Sequence, residues 1–262
     1  MTDLPPPTLI GSSPAFQTAL AHLRTFARVD ATVLIEGETG TGKELAARTI
    51  HALGERNAAP FVLFNCAALG GHEFEHQLLE RLPAGPDQGG TLLLDEVDML
   101  CQEAQAALLR FLQEHARRAA GSADLRRANV RILAATNASL RQLVVTGKFR
   151  ADLLYRLNVL VLRMPPLRER AGDALELARS FVQRYSAQYG PRAISISPAF
   201  EEWLSASDWP GNVRELENFI YQECLVCAGG ELRAEGEAAA WTGTPGPGFH
   251  WARRGAAAAT TT

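Results

Sequence analysis

The sequence has few cysteines, no long apolar run and no excess of charge of either sign, and each shortage excludes a class of protein. Four cysteines in 262 residues are too few and too scattered for a disulfide framework, which agrees with a reducing compartment. No apolar run reaches the roughly 18 residues that a membrane-spanning helix needs. The proline-rich start at residues 5–7 lacks the basic-then-apolar order of a signal peptide. We therefore expect a cytoplasmic protein without a membrane partner.

The charge balance excludes a protein that binds nucleic acid through its overall charge. The chain has 26 basic and 29 acidic residues, a formal net charge of -3, so no direct DNA binding is expected from it. Apolar residues make up 47% of the chain, which is enough for a substantial core. The length fits one large α/β domain or a core domain with a small satellite.

Short apolar runs alternate with helical patterns through the first two thirds of the chain, which is typical of parallel strands joined by crossover helices. Five strands are predicted, at residues 32–36, 61–65, 91–95, 130–136 and 159–164. After Pro165 and Pro166 helical periodicity predicts helices near 172–189, 198–206 and 212–227. The predicted organisation is a linker at 1–8, an α/β domain at 9–167, a small helical domain at 168–229 and a disordered tail at 230–262.

The strongest chemical signal is a glycine-rich segment directly after the first predicted strand and at the start of a helix. Glycines there let successive backbone N–H groups turn toward a polyphosphate, and the lysine reaches the β- and γ-phosphates. The predicted loop consists of Gly37, Glu38, Thr39, Gly40, Thr41, Gly42 and Lys43. Glu44 stands where Ser or Thr usually offers magnesium a hydroxyl, so carboxylates are expected to hold the metal.

Two acids follow the third predicted strand. The apolar run 92–94 leads into Asp95 and Glu96, which places both carboxylates at the carboxyl edge of a buried parallel strand, beside the loop. Asp95 is predicted to hold magnesium through water, with Glu44 as a second candidate ligand, and Glu96 to polarise the water that attacks the γ-phosphate. Asn137, after the fourth strand, could orient that water, although the sequence alone allows a plain turn residue equally well.

With these three elements in order, the chain resembles the AAA+ ATPases, and among them the central domain of bacterial enhancer-binding proteins, the activators of sigma-54 RNA polymerase. The phrases that carry the resemblance are GETGTGKE (37–44), FNCAAL (64–69), GTLLLDEV (90–97), LLRFLQE (108–114), FRADLLYRLNV (149–159), PPLRER (165–170) and WPGNVRELEN (209–218). It covers about residues 9–227 and implies a P-loop NTPase with a parallel five-stranded sheet, flanking helices and a small all-helical lid. Glu is common in this branch where Glu44 stands.

The resemblance implies roles that spacing does not. Ile10 and Gly11 would line the adenine pocket of an ATP site. Asn65 would restrain Glu96 until the γ-phosphate is sensed.

Three arginines acquire roles in the same way, although the sequence alone favours solvated surface residues. Arg150 and Arg156 would be arginine fingers that reach into a neighbouring subunit's site, and Arg214 would be a second sensor that links the lid to the nucleotide. Fingers supplied by a neighbour require a ring, so the resemblance implies an ATP-driven homo-oligomer, most simply a hexamer.

The chain also departs from the family. The family carries a GAFTGA loop, which touches sigma-54, in an insertion after the second strand, and residues 70–90 contain no such loop. No helix-turn-helix pattern follows residue 230. A basic segment at 115–129 favours a solvated turn over contact with DNA or acidic protein. We therefore expect regulation of transcription through a partner, either a full-length activator or sigma-54 RNA polymerase. The alternative is an ATP-binding scaffold that does not hydrolyse.

Two further motifs have an ordinary structural interpretation. Residues 72–76 read HEFEH, an HExxH pattern that on a helix could bind zinc with Glu73 as the base of a metalloprotease. The two glycines at 70–71 and the lack of a third ligand favour a shortened, solvated helix. Cys224 and Cys227 form a CxxC inside an apolar helical pattern, which favours core packing over redox or metal chemistry.

Overall fold

The computed structural model describes residues 8–68, 71–81, 90–119, 130–189, 194–226 and 230–232. Within them no helix combines the length and the apolar character that crossing a bilayer requires. In chain order these residues form α1 (Pro14–Ala27), β1 (Val33–Glu36), α2 (Lys43–Leu53), β2 (Phe61–Asn65), α3 (Gly71–Arg81), β3 (Gly90–Asp95), α4 (Gln102–Ala119), β4 (Val130–Thr136), α5 (Leu140–Val145), α6 (Ala151–Leu157), β5 (Leu160–Arg163), α7 (Asp173–Tyr189), β6 (Ile194–Ile196), α8 (Pro198–Ala206), α9 (Asn212–Val226) and β7 (Gly230–Leu232).

The main sheet is parallel throughout and has the strand order β2-β3-β4-β1-β5. The five predicted strands are confirmed, with ends that differ by a residue at 33, 90, 160 and 163. Every residue of β4 is buried, as is the apolar run 92–94 of β3. Burial on both faces is the reason why these strands are mostly apolar. Arg131 in β4 is buried as well, and its guanidinium donates to the carbonyl oxygens of Ala27 and Phe26.

The strand order determines which loops meet. Strand β4 lies between β1 and β3, so the segments that follow β1, β3 and β4 leave the same edge of the sheet side by side. In an open parallel sheet this carboxyl edge is where ligands bind. The glycine-rich loop, the two acids and Asn137 follow these three strands in turn.

Helix α1 covers the sheet on the side of β5. The Ser13 side chain accepts a hydrogen bond from the Phe16 N–H and Pro14 occupies the first turn, which are both favourable features of a helix start. Phe16 and Leu23, on one face, are buried in the core that includes β1 and α2. The helix thereby brings residues 8–13 to the carboxyl edge of the sheet.

Helix α3 corrects the expectation of a solvated helix at residues 71–81. Phe74 and Leu78, four residues apart, are fully buried, and Phe74 packs edge-on against Phe64 with ring centroids 5.2 Å apart. Both neighbours of Phe74 in the chain are glutamates, so the helical periodicity of this segment is weak in the sequence. The side chains of residues 72, 73 and 75, on which the zinc alternative depends, lie outside the described part.

The lid consists of α7, α8 and α9 around an aromatic cluster, and it is not entirely helical. Its core includes Phe200, Trp209 and Phe219, and Cys224 packs against it, whereas Cys227 lies outside the described residues. Strands β6 and β7 pair in parallel, and this amends the expectation of an all-helical lid with a tail from residue 230. Three residues are too few for an alternating pattern to be recognised. Residues 1–7, 120–129 and 233–262 lie outside the description, and with them most of the predicted linker, basic turn and tail. The first five residues of the predicted basic turn, 115–119, are not a turn but the last residues of α4.

Candidate nucleotide-binding site

The loop between β1 and α2 curves around the ammonium group of Lys43. Lys43 Nζ donates hydrogen bonds to the carbonyl oxygens of Gly37 at 2.7 Å and Glu38 at 3.0 Å. Gly40 and Gly42 have φ angles of 81° and 94°, in the left-handed region that favours glycine. Burial lowers the pKa of Lys43, and nearby carboxylates, Asp95 first among them, oppose this shift. The loop thus holds a cation inside its turn.

Asp95, the last residue of β3, and Glu96, which follows it, act on this cation through their charges. Burial raises the pKa of Asp95, the negative charge of Glu96 adds to the shift, and the Lys43 ammonium opposes it. The Glu96 N–H donates to Asp95 Oδ1 at 3.1 Å. Two carboxylates and one ammonium therefore lie within reach of one another's charges at the carboxyl edge of the sheet.

Asn65 and Glu96 are in contact, as the resemblance implies. Asn65 Nδ2 lies 3.5 Å from Glu96 Oε2. Asn65 Oδ1 accepts the Ala67 N–H at 2.8 Å, which leaves the amide NH2 group to donate to Glu96. Glu96 has φ 56° and ψ 47°, a left-handed conformation that side-chain-bearing residues rarely adopt. A strained backbone conformation and a hydrogen bond from Asn65 thus fix the position of the Glu96 carboxylate.

Asn137 and Arg214 both approach the loop. Asn137 Nδ2 lies 3.4 Å from Thr39 Oγ1. The Cβ atom of Arg214 would lie 3.1 Å from a Cβ built on Gly40, and the Arg214 charge is one of those that lower the pKa of Lys43. Asn137, directly after β4, and Arg214, in the lid, therefore both lie beside the loop.

Ile10 and Gly11 run between the core and the lid. Ile10 packs against the lid core, and its carbonyl accepts a hydrogen bond from Arg170 Nη2 at 2.6 Å. Gly11 has φ 151°, and a Cβ there would lie 2.3 Å from Asp173 Oδ2. Only glycine therefore fits at position 11 without a shift of its surroundings.

Asp173 and Arg170 form a buried ion pair that the sequence did not reveal. Their side chains are 0% and 2% exposed, and Arg170 Nε lies 2.8 Å from Asp173 Oδ2. Asp173 also accepts the N–H groups of Ser12 and Ser13 and the Ser13 hydroxyl, at 2.8 to 2.9 Å. Burial opposes ionisation of Asp173, but the hydrogen bonds from Arg170 and the serines outweigh it and lower its pKa. This pair joins the lid to the segment that precedes α1.

Arg150 and Arg156 are not brought to this site. Both Arg150 Nε and Nη2 bond to the Asp152 carboxylate, at 3.0 and 2.8 Å, in an exposed pair. Arg156 Nη2 donates to the Leu112 carbonyl at 3.4 Å. Within the described residues neither guanidinium hydrogen-bonds to the glycine-rich segment 37–43 (the phosphate loop).

Carboxylate oxygens suitable for magnesium are present at the site. Asp95 is half-buried beside Lys43, and Glu44 lies close enough to raise the pKa of Asp95 through its charge. Glu44 Oε1 is also 2.8 Å from Arg48 Nη2. Mg²⁺ is commonly held by one or two carboxylates together with substrate phosphates and water, so this donor set fits the ion. Because Glu44 is held in an ion pair with Arg48, Asp95 is the more available of the two candidate magnesium ligands.

Comparison with known proteins shows which family the chain belongs to. The sequence matches the Sigma-54 interaction domain over residues 9–81 and 86–163, and the AAA+ ATPase lid domain over residues 168–236. It is 44% identical over 235 residues to the Sigma54-dependent transcriptional regulator SfnR of Pseudomonas fluorescens, covering 85% of this chain and 64% of that protein. It is 42% identical over 245 residues to the transcriptional regulatory protein FlbD of Caulobacter vibrioides, covering 88% and 54%.

Two solved structures share the fold of this chain. NtrX from Brucella abortus in complex with ATP superposes with a TM-score of 0.74 at 30% identity, over 85% of this chain and 53% of that one. The RuvB branch-migration motor of Thermotoga maritima, at 16% identity and a TM-score of 0.54 over 84% of this chain and 63% of that one, shares the fold. The chain thus spans between about half and two thirds of the length of these proteins. It belongs to the Sigma-54 interaction domain family of AAA+ P-loop NTPases.

Proposed function

We propose that this chain binds ATP with Mg²⁺ and hydrolyses it, and that hydrolysis serves the regulation of sigma-54-dependent transcription. One observation carries the proposal: the glycine-rich loop holds the Lys43 ammonium on two of its carbonyl oxygens, close enough to Asp95 and Glu96 for their charges to oppose the lowering of the Lys43 pKa. A cation for the phosphates, a ligand for the metal and a base for water are the parts that phosphoryl transfer to water requires.

The loop binds the phosphates through Lys43 and through backbone N–H groups. An ammonium group has three donors, and the carbonyls of Gly37 and Glu38 take two of them, so one remains for a phosphate oxygen. Asp95 would hold Mg²⁺ through water, whereas Glu44 would first have to leave its ion pair with Arg48. The bound ion would neutralise charge on the β- and γ-phosphates.

Glu96 takes the role of the base that polarises the attacking water. Its contact with Asn65 holds the carboxylate away from full engagement with water until the phosphates are bound. Asn137, beside Thr39, lies where an amide can report the presence of a γ-phosphate. General-base catalysis by a positioned side chain such as Glu96 contributes about 10²- to 10⁴-fold to the rate of hydrolysis.

Completion of the site by a second copy follows from the position of the two remaining arginines. Arg150 and Arg156 lie at α6, engaged with Asp152 and α4 rather than with the loop of their own chain. Large apolar side chains are exposed beside them, with Tyr155 81% and Val159 56% exposed. Tyrosine and arginine are both enriched in protein interfaces. We infer a ring, most simply a hexamer, in which these arginines enter the neighbour's site.

The client of the hydrolysis cycle is proposed from the relatives and the sequence. The SfnR proteins of Pseudomonas fluorescens and Pseudomonas putida are a sigma-54-dependent transcriptional regulator and a sigma-54-dependent transcriptional activator. Residues 70–90 of this chain contain no GAFTGA sequence. We therefore infer that it acts with a full-length activator, in a mixed ring, rather than by touching sigma-54 with this segment.

Two substitutions test the ATPase assignment. Lys43→Ala should abolish ATP binding, measured by titration calorimetry, because it removes the cation of the loop. Glu96→Ala should bind Mg-ATP as the parent does and lose at least about 100-fold in phosphate release, because only the base is removed.

Glu202→Ala, an exposed glutamate of α8, is the matched control and should hydrolyse at the parent rate. Turnover of Glu96→Ala at the parent rate would refute the assignment of the base. A parent protein that binds ATP and forms rings without releasing phosphate would instead be the non-hydrolysing scaffold.

A further inference from the structure

The lid touches the tip of the phosphate loop through its backbone. The Val213 N–H, at the start of α9, donates to the carbonyl of Gly40 at 3.0 Å. The approach is so close that a Cβ on Gly40 would lie 2.1 Å from the Gly211 carbonyl oxygen. The loop tip and the first turn of α9 are therefore one packed unit.

Asn212 adds side-chain contacts to this unit. It is fully buried, and its Oδ1 accepts the Leu167 N–H at 2.7 Å. Its Nδ2 donates to the Thr39 carbonyl at 3.0 Å and to Glu38 Oε2 at 3.2 Å. One amide group thus ties the entrance of the lid to two residues of the phosphate loop.

Glu38 is held in turn by Arg168. The guanidinium forms two parallel bonds with the carboxylate, at 2.6 and 2.7 Å. The hydrogen bond from Arg168 is the main reason that the pKa of Glu38 falls to about 2, and the Asn212 amide contributes while burial opposes the shift. Both side chains are about 40% exposed, so the pair orients Glu38 more than it stabilises the fold.

These contacts have a consequence for the direction of the loop's N–H groups. In a trans peptide the C=O and the following N–H point in opposite directions. Asn212 holds the Thr39 carbonyl toward the lid, and this turns the Gly40 N–H away from the lid. The Val213 N–H holds the Gly40 carbonyl toward the lid in the same way, whereas the Thr41 N–H donates to the Glu38 carbonyl within the loop at 3.4 Å. The Gly40 N–H is thereby presented to the other side of the loop.

We propose that Asn212 is a positioning residue that presents the Gly40 N–H of the phosphate loop to the nucleotide, so that docking of the lid and binding of phosphate are one coupled event. The inference rests on the proposed nucleotide function. It assigns to the loop itself a link to the lid that is separate from Arg214, which lies two residues further along α9.

Asn212→Asp tests the proposal with little change in side-chain volume. The new carboxylate keeps an acceptor for the Leu167 N–H but cannot donate to Thr39, and it lies beside the Glu38 carboxylate. The dissociation constant of ATP should rise by about 10- to 100-fold at pH 8, measured with a fluorescent ATP analogue. Asn218→Asp, the same substitution at an exposed position of α9, should bind as the parent does.

A pH profile separates positioning from a general structural defect. The charged groups around the new carboxyl are Glu38, Arg168 behind it, and Glu215, whose carboxylate accepts the Gly211 N–H on the same turn. A protonated carboxyl can again donate to the Thr39 carbonyl. The ratio of the variant's dissociation constant to the parent's should therefore fall toward 1 as the pH is lowered from 8 to 5.5.

The outcomes are distinct. A parent that does not bind the analogue overturns the proposed function. A parent that binds, with an Asn212→Asp variant of equal affinity or with a pH-independent deficit, overturns this inference alone. If the variant does not fold, Arg168→Gln decides: it releases Glu38 at an exposed position, and a dissociation constant raised severalfold supports the inference, whereas an unchanged one overturns it.

Discussion

Replacement of Asp173 by alanine removes the group that joins the lid to the segment before α1. Its carboxylate accepts hydrogen bonds from Arg170, from two backbone N–H groups and from the Ser13 hydroxyl, all within 2.9 Å. The variant leaves the Arg170 guanidinium, only 2% exposed, without its carboxylate. Breaking such a buried pair by removing one partner costs about 3–5 kcal/mol.

The assay is urea unfolding at pH 7, where the loss appears as a lower midpoint. Arg179→Ala is the matched control from the same helix, since Arg179 is 61% exposed and pairs with Glu201 at 2.6 Å. Exposed pairs contribute about 0–1 kcal/mol, so this variant should unfold close to the parent. A loss for Asp173→Ala no greater than for Arg179→Ala would refute the argument that this ion pair secures the lid.

A double variant and a pH series sharpen the test. Arg170→Met combined with Asp173→Ala leaves no lone charge, so the two losses should fall short of additive by about 1–3 kcal/mol. The lowered pKa of Asp173 means that its contribution is complete above the ordinary value of about 3.9 and is lost as the pH falls through the folded-state value. The difference between the parent and Asp173→Ala should therefore be constant from pH 8 to about 5 and should narrow below about pH 4.

Two further predictions concern the loop and α3. Gly40→Ala should weaken ATP binding at least about tenfold in calorimetry, because the new Cβ would meet the Gly211 carbonyl and φ is 81°; unchanged affinity would show that the lid does not need to dock this closely. Phe74→Ala should lower the free energy of unfolding by about 3–5 kcal/mol in urea. His76→Ala, on the exposed side of the same helix, should change it by no more than about 0.5 kcal/mol, and equal effects would place Phe74 outside the core.

The sequence predicted the sheet and the residues at its edge because their signals are contiguous. An apolar run such as 92–94 followed at once by Asp95 and Glu96 specifies a buried strand and the edge at which it ends. The glycine-rich loop is a single segment whose conformation depends on its own glycines. Short local segments of the sequence were therefore enough to predict both the fold class and the location of the candidate site.

Contacts between distant polar residues could not be predicted in this way. Asp173 and Ser13 are 160 positions apart, and Asn212 and Thr39 are 173 apart. A lone polar side chain has no periodicity, so nothing in the local sequence indicates that it will be buried. The same reason applies to Phe74, which lies between two glutamates.

The backbone of Glu96 shows how the demands of chemistry and of folding diverge at one position. Holding a residue that bears a Cβ at φ 56° costs about 1–2 kcal/mol relative to a relaxed conformation. Glycine would relieve that strain, but it would carry no carboxylate to polarise water. A variant library screened only for heat resistance would thus be expected to drift toward catalytically silent residues here, whereas selection for turnover would restore the acid.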